Sequence, residues 1–208
     1  MTFETLPASR HALTRDLTDL MWSTDPVLHR YMFGRRPTLN KVLDREWPGD
    51  HGLLSHAHAF SALAGMRQVG LLIGHTTSEY AENFDHSVTH QADALTAEEA
   101  AHLRSALLWM DRLFPAPLPE SYYILEFAIS PRARGTGLAC RLLDLAETRA
   151  RMQECVRLSL DVAADNGAVG FYTHLGFRTE VETRLPALDE AHGIGSHLHM
   201  EREIARPS

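Results

Sequence analysis

The sequence predicts an α/β protein built on a mixed, partly parallel central sheet flanked by helices, with a helical insertion at about residues 79–118. Three observations carry the prediction. Residues 122–204 read as strand, helix, strand, helix and two final strands, an order that packs as one sheet covered by helical layers. Residues 156–162 alternate Val156, Leu158, Leu160 and Val162 with Arg157, Ser159 and Asp161, so one face of that strand is apolar. Between two such strands, residues 137–152 repeat Leu138, Leu142, Leu145 and Ala146 at helical spacing.

Composition narrows the class. The chain has 208 residues, 44% hydrophobic and 23% charged, with 13 Gly and 10 Pro, which excludes disordered and collagen-like chains. A net charge of −7 leaves no basic footprint for nucleic acid, so no nucleic-acid partner is expected. No apolar run approaches the roughly 20 residues of a membrane helix, and the first residues lack a signal peptide's basic start and apolar core. Cys140 and Cys155 cannot make a disulfide scaffold. With no repeat and no Ser/Gly linker, the expectation is a single cytoplasmic domain over 1–208, without membrane contact.

Each element follows from local signals. A short extended piece at 3–6 precedes helical stretches at about 9–22 and 25–33, the second opened by Asp25-Pro26, a cap before a first-turn proline. Residues 53–63 and 68–75 read as strands joined by a tight turn at Gly65-Met66. The insertion carries Leu103, Ala106, Leu107 and Met110 at helical spacing, a Thr96–Glu99 capping signal, and closing prolines at 115, 117 and 119. A β-rich run at 122–129 stops at Pro131, a short helix spans about 166–175, and strands at 177–185 and 197–204 flank a loop.

The most informative segment is Ile129-Ser-Pro-Arg-Ala-Arg-Gly-Thr-Gly-Leu-Ala-Cys140, between a strand and a helix. Such a turn points free N–H groups outward, and a helix N-terminus adds partial positive charge. Gly135 and Gly137 keep side chains out of the way, and Arg132 and Arg134 add full charges, which together suit a phosphate or pyrophosphate. A nucleotide P-loop is excluded by the missing lysine, and a dinucleotide fingerprint by Cys140 where glycine is needed. Alone, the pattern also fits an ordinary glycine-rich turn. Downstream, Asp161-Val-Ala-Ala-Asp-Asn-Gly-Ala-Val-Gly-Phe-Tyr-Thr-His-Leu-Gly-Phe177 places Phe171-Tyr172 and Gly176-Phe177 after a strand and a short helix.

With both segments in order, the sequence resembles the GCN5-related N-acetyltransferase (GNAT) superfamily. Its Arg-Gly-x-Gly-x-Gly/Ala loop is matched by Arg134, Gly135, Thr136, Gly137, Leu138 and Ala139, and its later motif by Ala168, Phe171, Tyr172, Gly176 and Phe177. Asparagine falls one residue late, with Asp165 at the family's position and Asn166 beside it. The resemblance implies acetyl-CoA as acyl donor, its pyrophosphate gripped by 134–139. It further implies carrier contacts at Phe127, Ile129, Asn166 and Phe171, and a carbonyl polarised by backbone N–H near Ile129. Tyr172 is then the expected general acid toward the coenzyme A thiolate, and Glu126 the candidate base, with Tyr123 and the histidines as alternatives. The implied activity is N-acetylation of a primary amine, expected to be a small molecule, by direct attack in a ternary complex. A CoA-binding module without turnover, or acyl transfer to a protein amine or a hydroxyl, is the alternative. Many such proteins dimerise, so a homodimer is compatible with the resemblance.

Two further features invite chemistry. His56-x-His58 and His197-x-His199 have spacing compatible with zinc, yet the resembled fold puts them on distant strands without accompanying ligands. They are expected to be structural or surface histidines, and no metal is expected. The acidic stretch Glu79, Glu82, Asp85, Asp93, Glu98 and Glu99 is either a solvated face or an attractor for a cationic amine. The acceptor pocket is expected near Trp22, Tyr31, Phe33 and the loop at 185–196.

Overall fold

The computed structural model describes residues 3–11 and 15–204. In chain order its elements are β1 (Glu4–Pro7), α1 (Arg15–Trp22), α2 (Pro26–Phe33), α3 (Arg36–Glu46), β2 (Ala59–Ala64), β3 (Arg67–Thr76), α4 (Thr77–Asp93) and α5 (Ala97–Leu113). There follow β4 (Ser121–Ile129), α6 (Leu138–Met152), β5 (Arg157–Ala163), α7 (Val169–His174), β6 (Arg178–Thr183), α8 (Pro186–His192) and β7 (His197–Glu203). The strands form one sheet in the order β1-β2-β3-β4-β5-β7-β6, with β4 and β5 parallel and the other neighbours antiparallel. The mixed sheet and the inserted helices α4 and α5 thus follow the expectation. Among the described residues, no helix is long and apolar enough to cross a membrane.

Three expectations are corrected. Helix α1 starts at Arg15, with 9–11 non-helical and 12–14 outside the described residues. Residues 53–58 are not strand: His56–His58 forms a 3-10 turn whose Ser55 hydroxyl accepts from the Ala57 N–H, and pairing starts only at Ala59. Two helices went unread, α3 and α8. Each opens with a proline in its first turn, and α3 buries Leu39, Val42 and Leu43 at helical spacing.

The sheet separates two cores. Because side chains alternate across a strand, Leu72 of β3 faces Leu138, Leu142 and Ala146 of α6, whereas Leu71 and Ile73 face α1 and α3 through Leu17, Met21 and Leu43. A third cluster joins Met110 and Leu113 of α5 to Leu188 of α8. The insertion is capped at both starts, by reciprocal Thr76–Glu79 and Thr96–Glu99 boxes. It is tied down by buried Glu46, whose carboxylate accepts from Leu54 N–H (3.1 Å), from Gln91 Nε2 (2.6 Å) and from the Ser87 hydroxyl. Three donors satisfy that anion without a cation.

Two irregularities of β4 position everything that follows. Its ladder with β5 runs only from Ser121–Arg157 to Ile124–Leu160, and then the strands part. Against β3, Gly74 pairs with Ile124 and Ile73 with Glu126, which leaves Leu125 as an extra, bulged residue. Gly74 is required for space: a Cβ there would lie 2.5 Å from Cε1 of Tyr122, a residue with no exposure. Gly74→Ala is therefore expected to destabilise the fold by about 1–3 kcal/mol through overpacking. Urea denaturation reads this directly, and a change within experimental error would remove the steric account of the bulge.

Candidate active site

Where β4 and β5 part, a cavity of about 760 Å³ opens through the sheet. It is lined from one side by the 133–140 turn and the start of α6, and from the other by α2, α4 and α5.

The turn has an open outer side and free donors. Gly135 and Gly137 have φ of 73° and 79°, and a Cβ on either would meet nothing within 4 Å. Glycine is therefore needed for the left-handed backbone, and the outer side of the turn stays open. Gly137 caps α6 without a side-chain acceptor, so the N–H groups of Leu138, Ala139 and Cys140 have no partner within the protein among the described residues. These three residues and Arg134, whose Nε reaches the Ile129 carbonyl at 3.4 Å, line the cavity. Thr136 does not: its hydroxyl donates to the Ala133 carbonyl at 2.7 Å, which leaves only its backbone for a ligand. Arg132 is exposed and off the wall.

The freed edge of β4 supplies further donors. Ser130 N–H bonds the Val69 carbonyl at 2.8 Å on β3. Amide directions alternate along a strand, so Phe127 and Ile129 point their N–H groups the other way, into the opening. Both residues line it.

Across the opening, α7 brings Phe171 and Tyr172 to the wall. Tyr172 is buried among Phe127, Phe171 and Phe177, with ring centroids 5.5–6.4 Å away. Burial, reinforced by the negative charge of Glu126, pushes its hydroxyl well above the usual phenol range. Asn166 also lines the cavity, accepting from Ala168 N–H (2.9 Å) and donating to the Thr24 carbonyl (3.4 Å), whereas Asp165 is exposed.

Glu126 stands at the head of a hydrogen-bond chain. It accepts from the Thr24 hydroxyl (2.9 Å) and faces His29 Nε2 (3.2 Å), while His29 Nδ1 meets the Asp25 carbonyl (2.8 Å). The Asp25 carboxylate caps α2 and faces His197 Nε2 at 3.3 Å. Alongside, Asp161 accepts from the Tyr123 hydroxyl (2.8 Å) and faces His199 Nδ1 (3.0 Å). Burial alone would lower the pKa of His29, but the charge and hydrogen bond of Glu126 outweigh it and raise the value above 6.5. His199 is raised likewise, burial being outweighed by Asp161 and Glu201. Tyr123 is pushed far up by burial and Asp161, so it holds its proton and serves as a donor rather than a base.

Several site expectations are corrected here. His197 takes the structural alternative rather than the surface one: it is buried and, as no sequence signal indicated, lines the cavity. None of the six acidic residues at 79–99 does so; Glu79 and Glu99 cap helices, and the cavity's carboxylates are Asp25, Glu126 and Asp161. Phe33 reaches the wall, but Trp22, Tyr31 and the 185–196 loop do not. Thr24 and Asp161 went unread as site residues, and His29 stood only among the histidines as an undistinguished alternative base. Asp161 sits on the polar face of a strand and His29 four residues after a cap, signals that say where a side chain lies but not what it faces. His58, His75 and Glu79 bring ligand-type atoms within 4.8 Å of one another. However, the Asn83 amide lies 3.1 Å from His58 Nε2 and 3.4 Å from His75 Nδ1, and the Arg149 guanidinium approaches Glu79.

Comparison with known proteins places this arrangement. The family model for the acetyltransferase (GNAT) domain matches residues 73–202. The chain is 41% identical over 59 residues to the uncharacterized N-acetyltransferase YesJ of Bacillus subtilis, and 40% identical over 50 residues to the L-2,4-diaminobutyric acid acetyltransferase of Halomonas elongata. Those segments cover 28% and 24% of this chain, and the chain spans only 33% and 26% of the two relatives. In fold it is similar to an N-acetyltransferase from Staphylococcus aureus Mu50 (TM-score 0.68, 15% identity, 96% of this chain and all of the other). It is also similar to arylalkylamine N-acetyltransferase 2 from Aedes aegypti (TM-score 0.65, 15% identity, 99% of this chain and all of the other). A family match over more than half of the sequence, on the elements that form the glycine turn and the parted strands, makes this chain a member of the GNAT acetyltransferase family.

Proposed function

We propose that the protein transfers the acetyl group of acetyl-CoA to the primary amine of a small molecule, by direct attack in a ternary complex. One observation carries this reading: a single cavity joins an uncapped helix N-terminus on one face of the sheet to a carboxylate–histidine cluster on the other. The residues fit the carrier. The amides of Leu138 to Cys140, the turn at Gly135–Gly137 and Arg134 would hold its diphosphate, and Phe127, Asn166 and Phe171 flank the path of its pantetheine arm. When bound, acetyl-CoA supplies an activated thioester.

The chain's own groups then do three things. The N–H groups of Phe127 and Ile129, free of β3 and turned to the opening, would donate to an acyl oxygen held there and stabilise negative charge on it. Glu126 takes the amine proton together with His29. The His29 Nδ1 proton is held by the Asp25 carbonyl, so Nε2 and the carboxylate share the one site open to a proton. Tyr172, kept protonated by burial and Glu126, gives its proton to the departing thiolate. Holding both reactants in one channel accounts for much of the remaining rate.

Acetyl-CoA is expected to raise the melting temperature, and Arg134→Ala to weaken its binding without abolishing it, because the amides remain. No shift with millimolar acetyl-CoA would end this reading. Tyr172→Phe should lower kcat by about 10²–10⁴-fold with little change in KM; unchanged turnover at saturating substrates would remove Tyr172 as the acid. Below the raised pKa of His29, the Glu126–His29 pair already holds its proton and cannot accept another, so kcat/KM for the amine should rise with pH on a limb centred above 6.5. His29→Gln keeps a donor to Glu126 but cannot titrate, so this limb should move toward acid and the plateau fall. Superimposable pH profiles would show that His29 takes no part in proton transfer.

A further inference from the structure

The cavity's acceptor side has two chemically different ends. One is the cluster around Glu126 and Asp25. The other is a wall formed by Leu28 and Met32 of α2 with Phe84, Leu107 and Met110 of α4 and α5. Tyr80 connects the two, its ring 5.2 Å from Tyr123 and 6.2 Å from Phe84. No charged side chain of α4 or α5 lines the cavity, although both helices are rich in them; Gln91, an amide on that wall, is held by Glu46 at 2.6 Å. Leu28, Met32, Phe84 and Leu107 are only half-buried, so this wall keeps apolar surface in contact with solvent. Covering it with a polar or charged group would leave that group without a partner, whereas an apolar group gains by every methylene removed from water.

We infer that the acceptor is a monoamine with a bulky apolar body, an alkyl chain or a ring, whose nitrogen sits at Glu126 and Asp25 and whose body lies against α4 and α5. The inference rests on the acetyl-transfer reading and narrows it. It disfavours diamines, whose second ammonium would face the apolar wall, and peptide amines, whose backbone groups would do the same.

The test compares ethylamine, pentylamine and 1,5-diaminopentane at saturating acetyl-CoA, with the acetyl-CoA thermal shift measured in parallel. Three added methylenes, fully buried, should raise kcat/KM by roughly 50-fold from ethylamine to pentylamine, and pentylamine should exceed the diamine by more than about tenfold. Leu107→Glu should reverse that second preference by giving the far ammonium a partner, an outcome that misfolding cannot imitate. Phe84→Ala should lower kcat/KM for pentylamine by a larger factor than for ethylamine. Equal kcat/KM for the three amines, or a Leu107→Glu variant that still prefers pentylamine, overturns the inference. A normal acetyl-CoA shift with such flat selectivity would defeat the acceptor class alone, and an absent shift would defeat the transferase reading and the acceptor class together.

Discussion

The separation of β4 from β5 is the constraint on which the rest of this molecule depends. Two parallel strands that stay paired would bury every amide of their facing edges and leave no passage through the sheet. Here the ladder ends at Ile124–Leu160, and the price is a set of amides with no strand to satisfy them. The bulge at Leu125 helps to re-aim the chain, and the space for it exists because Gly74 yields to Tyr122. Past that point, Phe127 and Ile129 offer donors to the opening, and Glu126, between them and the bulge, turns its carboxylate to the α2 side. The free amides of Phe127 and Ile129 and the Glu126 carboxylate are thus neighbours in sequence because one strand changes partners there.

Hydrogen-bond direction divides the histidines into two kinds. His75 Nε2 donates to the Leu53 carbonyl and its Nδ1 faces the Asn83 amide, whose oxygen is engaged by Gly52 N–H at 2.7 Å. One ring nitrogen donates and the other accepts, so the ring is neutral, and burial next to His58 lowers its pKa to about 3. His29 and His199 are the opposite case. Both nitrogens of each ring face oxygens that can only accept or that carry negative charge, which favours a second proton shared with the carboxylate and raises the pKa of each ring. Of these three rings only His29 lines the cavity, while His75, packed under α4, stays neutral.

The glycine turn was legible in the sequence because it is local. A glycine turn between a strand and a helix fixes backbone geometry within ten residues, and Arg134 to Ala139 gained their reading together with the second segment at 161–177. Asp25 was legible as a cap for the same reason, since its Oδ1 accepts from Val27 and Leu28 N–H groups close in sequence. Its second oxygen meets His197, 172 residues away, and no local pattern encodes that meeting. The polar cluster on the α2 side of the cavity consists of such meetings: Thr24 with Glu126, Tyr123 with Asp161, Phe114 edge-on to His197 at 5.3 Å. Helix α3 was missed for a different reason, its Arg-Arg-Pro opening lacking a polar cap, with extended Arg35 before the first turn. The strand expected at 53–58 failed because apolar Leu53 and Leu54 are buried by loop packing, not by sheet pairing.

The chain Asn166–Thr24–Glu126–His29–Asp25–His197 also bears on why so much buried charge is retained. Taking a carboxylate and an imidazolium out of water costs several kcal/mol per ion, and their attraction commonly does no more than offset it. Apolar side chains of the same volume would serve stability as well. Stability therefore does not explain the cluster, and position does: it ties the α1–α2 turn to β4, β7 and the segment before α7 across the opening where no strand pairing can. Removing one member leaves its partner unpaired in the same low-dielectric space, so substitutions along the chain should not add. Asn166, Glu126 and His197, which come from three different segments, are thereby held as one unit across an opening where the sheet leaves contacts unmade.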